Sequence, residues 1–343
     1  MMKRTSVIFK KPYEIEIVES PLPALEADEV LVKNRVSAIS AGTELLVYCG
    51  RFPASLLLDA AIPALARPFS YPVAYGYASV GQVVEVGREA NKELLNRPVF
   101  CFHPHESHYT IHQDQLILLP SDIEPIDAAF LAAMETAVNF LMDGQPVIGE
   151  KVAVFGLGVI GLLATALLSQ LPLGDLAVLD PCALRRRSAE AAGAPISLDP
   201  GAPHALEELN KRLKSVSGEA GADLVYELSG NPAALNQAIG IAGAGARIVI
   251  GSWYGTKKAE LDLGGGFHRN RIKLISSQVS TLAPQFSARW TKSRRLQVAM
   301  DMIRQVKPGR FVTHRFNVRQ AAEAYELLDK QPHEAMQVLL TYE

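Results

Sequence analysis

Cysteine is scarce in this chain and tryptophan scarcer, with three of the one and two of the other among 343 residues. Cys49, Cys101 and Cys182 stand far apart without a C-x-x-C spacing. That excludes a cysteine-built structural zinc and a disulfide framework, and it suits a reducing, cytoplasmic setting. No charge of one sign dominates. A formal net charge of −2 and an isoelectric point near 6.5 offer no electrostatic hold to nucleic acid or to an anionic membrane. Glycines or charges interrupt every apolar run before it reaches membrane-spanning length. Residues 1–19 carry charges where a secretory signal needs its apolar core. Repeats and low-complexity segments are missing too. What remains, 48% hydrophobic and 20% charged residues, is the composition of a well-cored globular protein long enough for two domains.

The informative segment lies in the middle. Lys151–Phe155 (KVAVF) reads as a short buried strand, followed at once by Gly156-Leu157-Gly158-Val159-Ile160-Gly161 and a helical apolar run to Leu171. A second strand, 176–179, ends on Asp180. Gly156 permits the tight turn, Gly158 lets backbone approach a pyrophosphate, and Gly161 lets helix and strand pack closely. Amides of this turn face the phosphates with the favourable end of the helix macrodipole. Asp180, about 20 residues beyond the glycines, can accept the ribose hydroxyls of NAD, and it would repel the 2′-phosphate of NADP. Arg185, Arg186 and Arg187 keep NADP open, or form no more than an exposed basic helix start. A glycine turn that binds nothing would explain Gly156 alone. The full spacing predicts a dinucleotide site, with NAD the favoured cofactor.

Up to about Pro120 the chain reads as β-rich: segments 14–18, 29–36, Ser79–Val86 and 115–119 are short, rich in Val, Ile and Leu, and separated by Pro, Gly or Asn. Pro53, Pro63, Pro68 and Pro72 punctuate a long irregular stretch, a candidate substrate-side loop. Residues 122–142 show helical periodicity, with Phe130, Leu131, Met134, Val138 and Leu141 on one face. Strands then alternate with helices. Lys151–Phe155, 176–179, 224–227, 246–250 and Lys273–Ser276 are the strands; 159–171, 183–192, 204–214 and 232–242 are the helices, with Asn231 as cap of the last and Pro232 in its first turn. This is an α/β, doubly wound parallel sheet. A helix at 287–305 and strands at 311–316 and Gln337–Thr341 complete the chain. The nucleotide domain, 143–284, is thus inserted between 1–142 and 285–343.

This arrangement resembles the medium-chain dehydrogenase/reductase superfamily, in particular its zinc-type alcohol, sorbitol and threonine dehydrogenase branch. The resemblance implies a GroES-like β-rich catalytic domain carrying an inserted Rossmann domain, and an NAD(P)-dependent oxidoreductase that pairs as a dimer. Gly76 with Ser79-Val80-Gly81-Gln82-Val83-Val84-Glu85-Val86-Gly87 is similar to the family strand after Gly-His-Glu, and Glu135-Thr136-Ala137 to Glu-Pro-x-Ala. The pattern departs at the metal ligands. Ser37-Ala38-Ile39-Ser40-Ala41-Gly42-Thr43-Glu44 has no cysteine, Tyr77 stands at the histidine, Ala78 follows it, and the four-cysteine lobe is missing. The usual zinc site is therefore not expected, and no metal ligand is assigned. An unorthodox site of Glu44, Glu135 and a histidine stays open. The Ser-x-Gly-Thr-Glu run also resembles the branch containing hydroxyethyl-bacteriochlorophyllide dehydrogenase.

Loops beyond the carboxyl ends of the strands should line the cofactor: Ser229 and Gly230, then Ser252 and Trp253, then Ser277 and Gln278. Trp253 meets either a flat ligand or a domain interface. Without zinc, side chains must handle charge and proton at the substrate oxygen. Tyr77 is the candidate proton donor, or it fills the space a metal would take. Glu44 and Glu135 are candidate acid/base groups if burial shifts them, although Glu135 has capping or ion pairing as its plain alternative. His103-Pro104-His105 places two histidines on one side, as surface or substrate-facing groups more readily than as a metal pair. His268 could relay a proton, and Arg271 could hold an anionic group or the pyrophosphate, if neither is merely solvated. The sequence thus points to interconversion of a secondary alcohol and a ketone, with a small-molecule substrate and no nucleic-acid or membrane partner. The rival readings are a zinc-free quinone or enoyl reductase and a nucleotide-binding sensor without catalysis.

Overall fold

The computed structural model describes residues 3–213 and 221–342, and the chain divides into two compact units. One comprises Met1–Ala132 and Ile303–Glu343, the other Ala133–Met302. Among the described residues no helix is long and apolar enough to cross a membrane.

The first unit is built on two sheets. Lys3–Lys11 pairs antiparallel with Glu14–Pro21 on one side and with Val73–Ala74 on the other. A seven-stranded sheet runs Val312–Asn317, Gln337–Thr341, Glu29–Ala38, Ser79–Val86, Pro98–Cys101 and Ile117–Leu118, with His108–His112 also paired to Glu29–Ala38. Val30, Val32, Val83, Val99 and Tyr109, all at most 1% exposed, fill one side of it. Helix Ala41–Tyr48 and helix Ala321–Lys330 pack with Phe9, Tyr75 and Leu340 in the larger core. Neither helix was read from the sequence, and nor was the strand Lys3–Lys11.

The second unit holds a parallel sheet whose strands we number β1 (Lys151–Phe155), β2 (Asp175–Leu179), β3 (Ile196–Leu198), β4 (Ala222–Glu227), β5 (Ala242–Ile250) and β6 (Lys273–Ser276). Their order is β3-β2-β1-β4-β5-β6, all parallel. Covered on both faces, such strands are apolar throughout rather than alternating: Val152, Ala153, Val154 and Phe155 are at most 1% exposed. Helix Val159–Leu168 is apolar on all sides, and it is buried from Gly161 to Leu168, as an all-round hydrophobic helix must be.

Several expected boundaries move for local reasons. The helix expected at 122–142 becomes Pro125–Ala128 and Leu131–Gly144, because Pro125 opens the first piece and leaves Glu124 extended (φ −66°, ψ 144°). Asn231 Oδ1 accepts from Ala233 N at 3.2 Å, which caps a turn, and the helix begins later, at Ala234. The helix expected at 204–214 spans Ala205–Arg212, and position 214 lies outside the described residues. The expected helix at 287–305 begins only at Lys292. The compact units divide at Ala133 and Ile303, since a buried ion pair, Glu135 with Arg295 at 3.0 Å, ties helix Leu131–Gly144 to helix Lys292–Val306.

Tyr226 on β4 is fully buried, and its hydroxyl has no hydrogen-bond partner among the described residues. A Cβ at Gly144 would come 2.3 Å from that oxygen, so the ring is seated tightly. An unpaired buried hydroxyl costs about 1–3 kcal/mol. Tyr226→Phe should therefore raise the unfolding free energy by about 1 kcal/mol in denaturant titration. A clear loss of stability would show that the oxygen has a partner.

Candidate active site

The glycine turn expected to cradle a dinucleotide lies where β1 turns into helix Val159–Leu168, with Gly158 as its N-cap. Gly156 has φ +89°, and a Cβ there would lie 2.4 Å from the Ser229 backbone. At Gly161 a Cβ would sit 1.9 Å from the Gly156 carbonyl oxygen. Both positions exclude any side chain. Around Gly158, by contrast, nothing of the protein lies within 4 Å of the added atom: this is open space beside helix N–H groups that have no intrahelical acceptor. The donor set suits a diphosphate.

Asp180, one residue past β2 and 4% exposed, accepts from Leu157 N at 2.7 Å and from Cys182 N at 2.8 Å. The carboxylate thus braces the glycine turn, and each oxygen keeps lone-pair capacity for a ribose hydroxyl. Arg185 Nη1 stands 3.9 Å from it. Arg186 is spent on the Asp180 and Pro181 carbonyls at 2.7 and 2.9 Å.

Loops after β4 and β5 meet through a residue the sequence reading passed over. Glu227, the last residue of β4, is fully buried. It accepts from Ser229 N at 2.9 Å and from the hydroxyls of Ser229 and Tyr254. Gly230 N donates to Ser252 Oγ at 2.8 Å. Ser229, Gly230 and Ser252 therefore lie together, Trp253 beside them is 39% exposed, and Ser277 after β6 is buried while Gln278 is exposed. An acidic strand end followed by Leu-Ser-Gly was the available signal for Glu227.

His268 and Arg271 are corrected. Both are exposed, on and just after helix Gly266–Arg269, and both precede β6. In a parallel sheet the residues before a strand lie at the amino ends, opposite the edge where ligands bind. Their nearness in sequence to β6 misled the reading.

In the first unit the histidine cluster disperses. His103 stacks on Tyr109 at 3.8 Å and 8°, and burial pulls its pKa down to about 4. His105 is fully buried rather than substrate-facing: its Nδ1 meets Ser37 Oγ at 2.6 Å and its Nε2 meets Glu44 Oε2 at 2.9 Å. Glu44, equally buried, also accepts from Ser40 N at 2.8 Å and from the Tyr325 hydroxyl. Tyr342 closes the network on Ser37 at 2.7 Å. Neither Glu44 nor His105 is exposed to a substrate. Their network instead fixes Ser40, the residue at the N-cap position of helix Ala41–Tyr48, whose side chain makes no capping hydrogen bond. The Ser40 hydroxyl pairs with that of Tyr77 at 2.5 Å. Burial pushes the Tyr77 phenol up to about 12, against the hydrogen bonds from Ser40 and Thr43. Glu135 faces Arg295, and burial holds its carboxyl above the usual carboxylate value despite that cation.

A profile for zinc-binding dehydrogenases matches residues 159–296. The sorbitol dehydrogenase of Bacillus subtilis is 24% identical over 264 residues, covering 69% of this chain and 71% of the relative. The starvation-sensing protein RspB of Escherichia coli K12 is 22% identical over 98% of this chain and 99% of its own length. The crystal structure of the alcohol dehydrogenase RspB from Escherichia coli CFT073, complexed with NADH, superposes with a TM-score of 0.79 at 20% identity, over 99% of both chains. The chain is thus similar to zinc-binding dehydrogenases of the medium-chain type, in sequence across 159–296 and in fold over nearly its whole length.

The resemblance drawn from the sequence would call on the segment around Ser40, on Tyr77 and on Glu135 for zinc ligands. Here those positions offer two neutral hydroxyls bonded to one another and a carboxylate engaged by an arginine. Zinc takes thiolate, imidazole and carboxylate in tetrahedral array, and among the described residues no three His, Cys, Asp or Glu side chains gather for a metal. The donor set does not fit.

Gly161→Ala should destabilise the nucleotide unit by about 3 kcal/mol, because backbone oxygen cannot move aside. Gly158→Ala should melt with the wild type in thermal scans, yet bind NADH more weakly in fluorescence titration. Equal melting of the two variants would contradict the cradle geometry.

Proposed function

We propose that this protein is a nicotinamide-dependent oxidoreductase that interconverts a secondary alcohol and a ketone, takes NAD in preference to NADP, and works without catalytic zinc. The observation that carries the reading is the Tyr77–Ser40 hydroxyl pair, at a position where the resemblance implies a metal ligand, in a chain whose glycine turn leaves open space at Gly158 for a diphosphate. Asp180 supports NAD: a carboxylate 4% exposed at the ribose position opposes a 2′-phosphate, and Arg186 is committed to backbone carbonyls.

In this reading the 156–161 turn holds the diphosphate and Asp180 the adenosine ribose. Bound nicotinamide supplies or accepts the hydride. The remaining chemistry belongs to the chain. During ketone reduction the Tyr77 hydroxyl gives its proton to the substrate oxygen. Ser40 Oγ–H then turns from acceptor to donor and, with the Thr43 hydroxyl, stabilises the phenolate left behind. Alcohol oxidation runs the same path backwards, with the phenolate as base. The Glu44–His105 network keeps Ser40 in place through its backbone N–H.

Because burial raises the Tyr77 phenol to about 12, the acid form dominates at neutral pH and the base form gains about tenfold per pH unit below that value. Reduction should be flat across the neutral range, whereas oxidation should climb steadily with alkaline pH. Tyr77→Phe should lower kcat by about 10²–10⁴-fold in both directions and abolish the slope. Chelator dialysis should leave the rate intact. Unchanged kcat in the Tyr77 variant, or a stoichiometric zinc whose removal stops turnover, would overturn the reading.

A further inference from the structure

Arg295 on helix Lys292–Val306 is the largest of the fully buried side chains, at 1% exposure. Its guanidinium is fully employed. Nε and Nη2 donate to Glu135 Oε1 at 3.1 and 3.0 Å, and Nη1 donates to Asn139 Oδ1 at 2.5 Å. The remaining reach goes to backbone: Nη2 to the Val279 carbonyl at 2.5 Å and Nη1 to the Thr281 carbonyl at 3.3 Å. Asn139 in turn donates through Nδ2 to Ser277 Oγ and Asp143 Oδ2, both at 3.0 Å, and Ser277 Oγ donates to the same Asp143 oxygen at 2.5 Å. Segment 277–281 is thus anchored at its start by Ser277 and at its far end by Arg295. A cation is normally kept out of such an environment unless it is paired. This one spends two of its bonds on the shape of a loop.

The topology says which loop it is. Ligands in an open parallel sheet lie beyond the carboxyl ends of the strands, across the point where strand order reverses. The adenosine end belongs to Asp180 after β2, and the diphosphate to the turn after β1. Continuing over β4, β5 and β6 leads to the other half of the dinucleotide, and segment 277–281 directly follows β6.

We propose that Arg295 is a positioning residue for the nicotinamide half of the cofactor, acting through segment 277–281 and touching neither cofactor nor substrate. The proposal rests on the nicotinamide reading above. Lysine cannot replace it, because a single ammonium cannot address a carboxylate, an amide and two carbonyls in one plane as the guanidinium fork does. Without the anchor, the loop must be ordered at the moment of binding, and that cost falls on the nicotinamide end alone.

The test compares two probes that share adenine, both riboses and the diphosphate: NADH, and ADP-ribose, which lacks the nicotinamide. Glu135→Gln/Arg295→Met removes cation and carboxylate together, so that no lone charge stays buried. Ser277→Ala removes the other anchor with less risk to folding. In the double variant NADH affinity should fall by about tenfold or more, while ADP-ribose binding by calorimetry stays within about twofold. Ser277→Ala should shift the same ratio in the same direction, more weakly. Equal losses for both probes would mean a purely structural role and would overturn the proposal, as would no change in either. If the unmodified protein binds NADH no tighter than ADP-ribose, the nicotinamide reading itself fails. That outcome is visible before any variant is made.

Discussion

A carboxylate withdrawn from water must be met by donors, and this protein uses that constraint repeatedly to hold its loops. Glu44 takes the Ser40 amide, His105 and Tyr325. Asp180 takes the amides of Leu157 and Cys182. Glu227 draws in Ser229 and Tyr254, and Glu135 engages Arg295, which carries the restraint on to the Val279 and Thr281 carbonyls. Each group is at most 8% exposed. Removing any one of them would strand its donors in the interior, at about 1–3 kcal/mol for each unsatisfied group. The segments that a dehydrogenase must keep in register are therefore pinned by charge, while apolar packing fixes the sheets beneath them.

That division explains what could be read from the sequence. Lys151–Phe155 and Gln337–Thr341 are legible to the residue as short apolar runs that are buried almost throughout, and Lys273–Ser276, half-buried or exposed, is legible as a short run closed by serine. The three-residue strand Ile196–Leu198 is too short to show a period. Lys3–Lys11 hides Val7 and Phe9 between charged ends. Helix Ala41–Tyr48 begins inside a segment whose interest lay in its missing cysteine. The acidic residues were legible as consequential, since a glutamate among Phe130, Leu131, Ala132 and Ala133 must have a partner. Which partner it has is a long-range fact: Glu135 and Arg295 are 160 positions apart. His268 and Arg271 show the converse error, in which nearness along the chain was taken for nearness in space.

The hydroxyl pair departs furthest from the superfamily's usual pattern. A missing cysteine or histidine at an expected ligand position is plain in a sequence. What replaces it is not, because serine and tyrosine are common and their meaning here depends on a 2.5 Å contact across 37 positions. Glu44 holds Ser40 through its backbone N–H and so fixes the partner of the Tyr77 hydroxyl.

The order of synthesis follows from the way the strands interleave. Glu29–Ala38 emerges early, yet one of its sheet neighbours is Gln337–Thr341, and the Ser37 hydroxyl waits for Tyr342. The whole parallel-sheet segment leaves the ribosome in between, and among the described residues its strands pair only with one another. A nascent chain therefore carries an open β edge in its first unit until translation has passed the second.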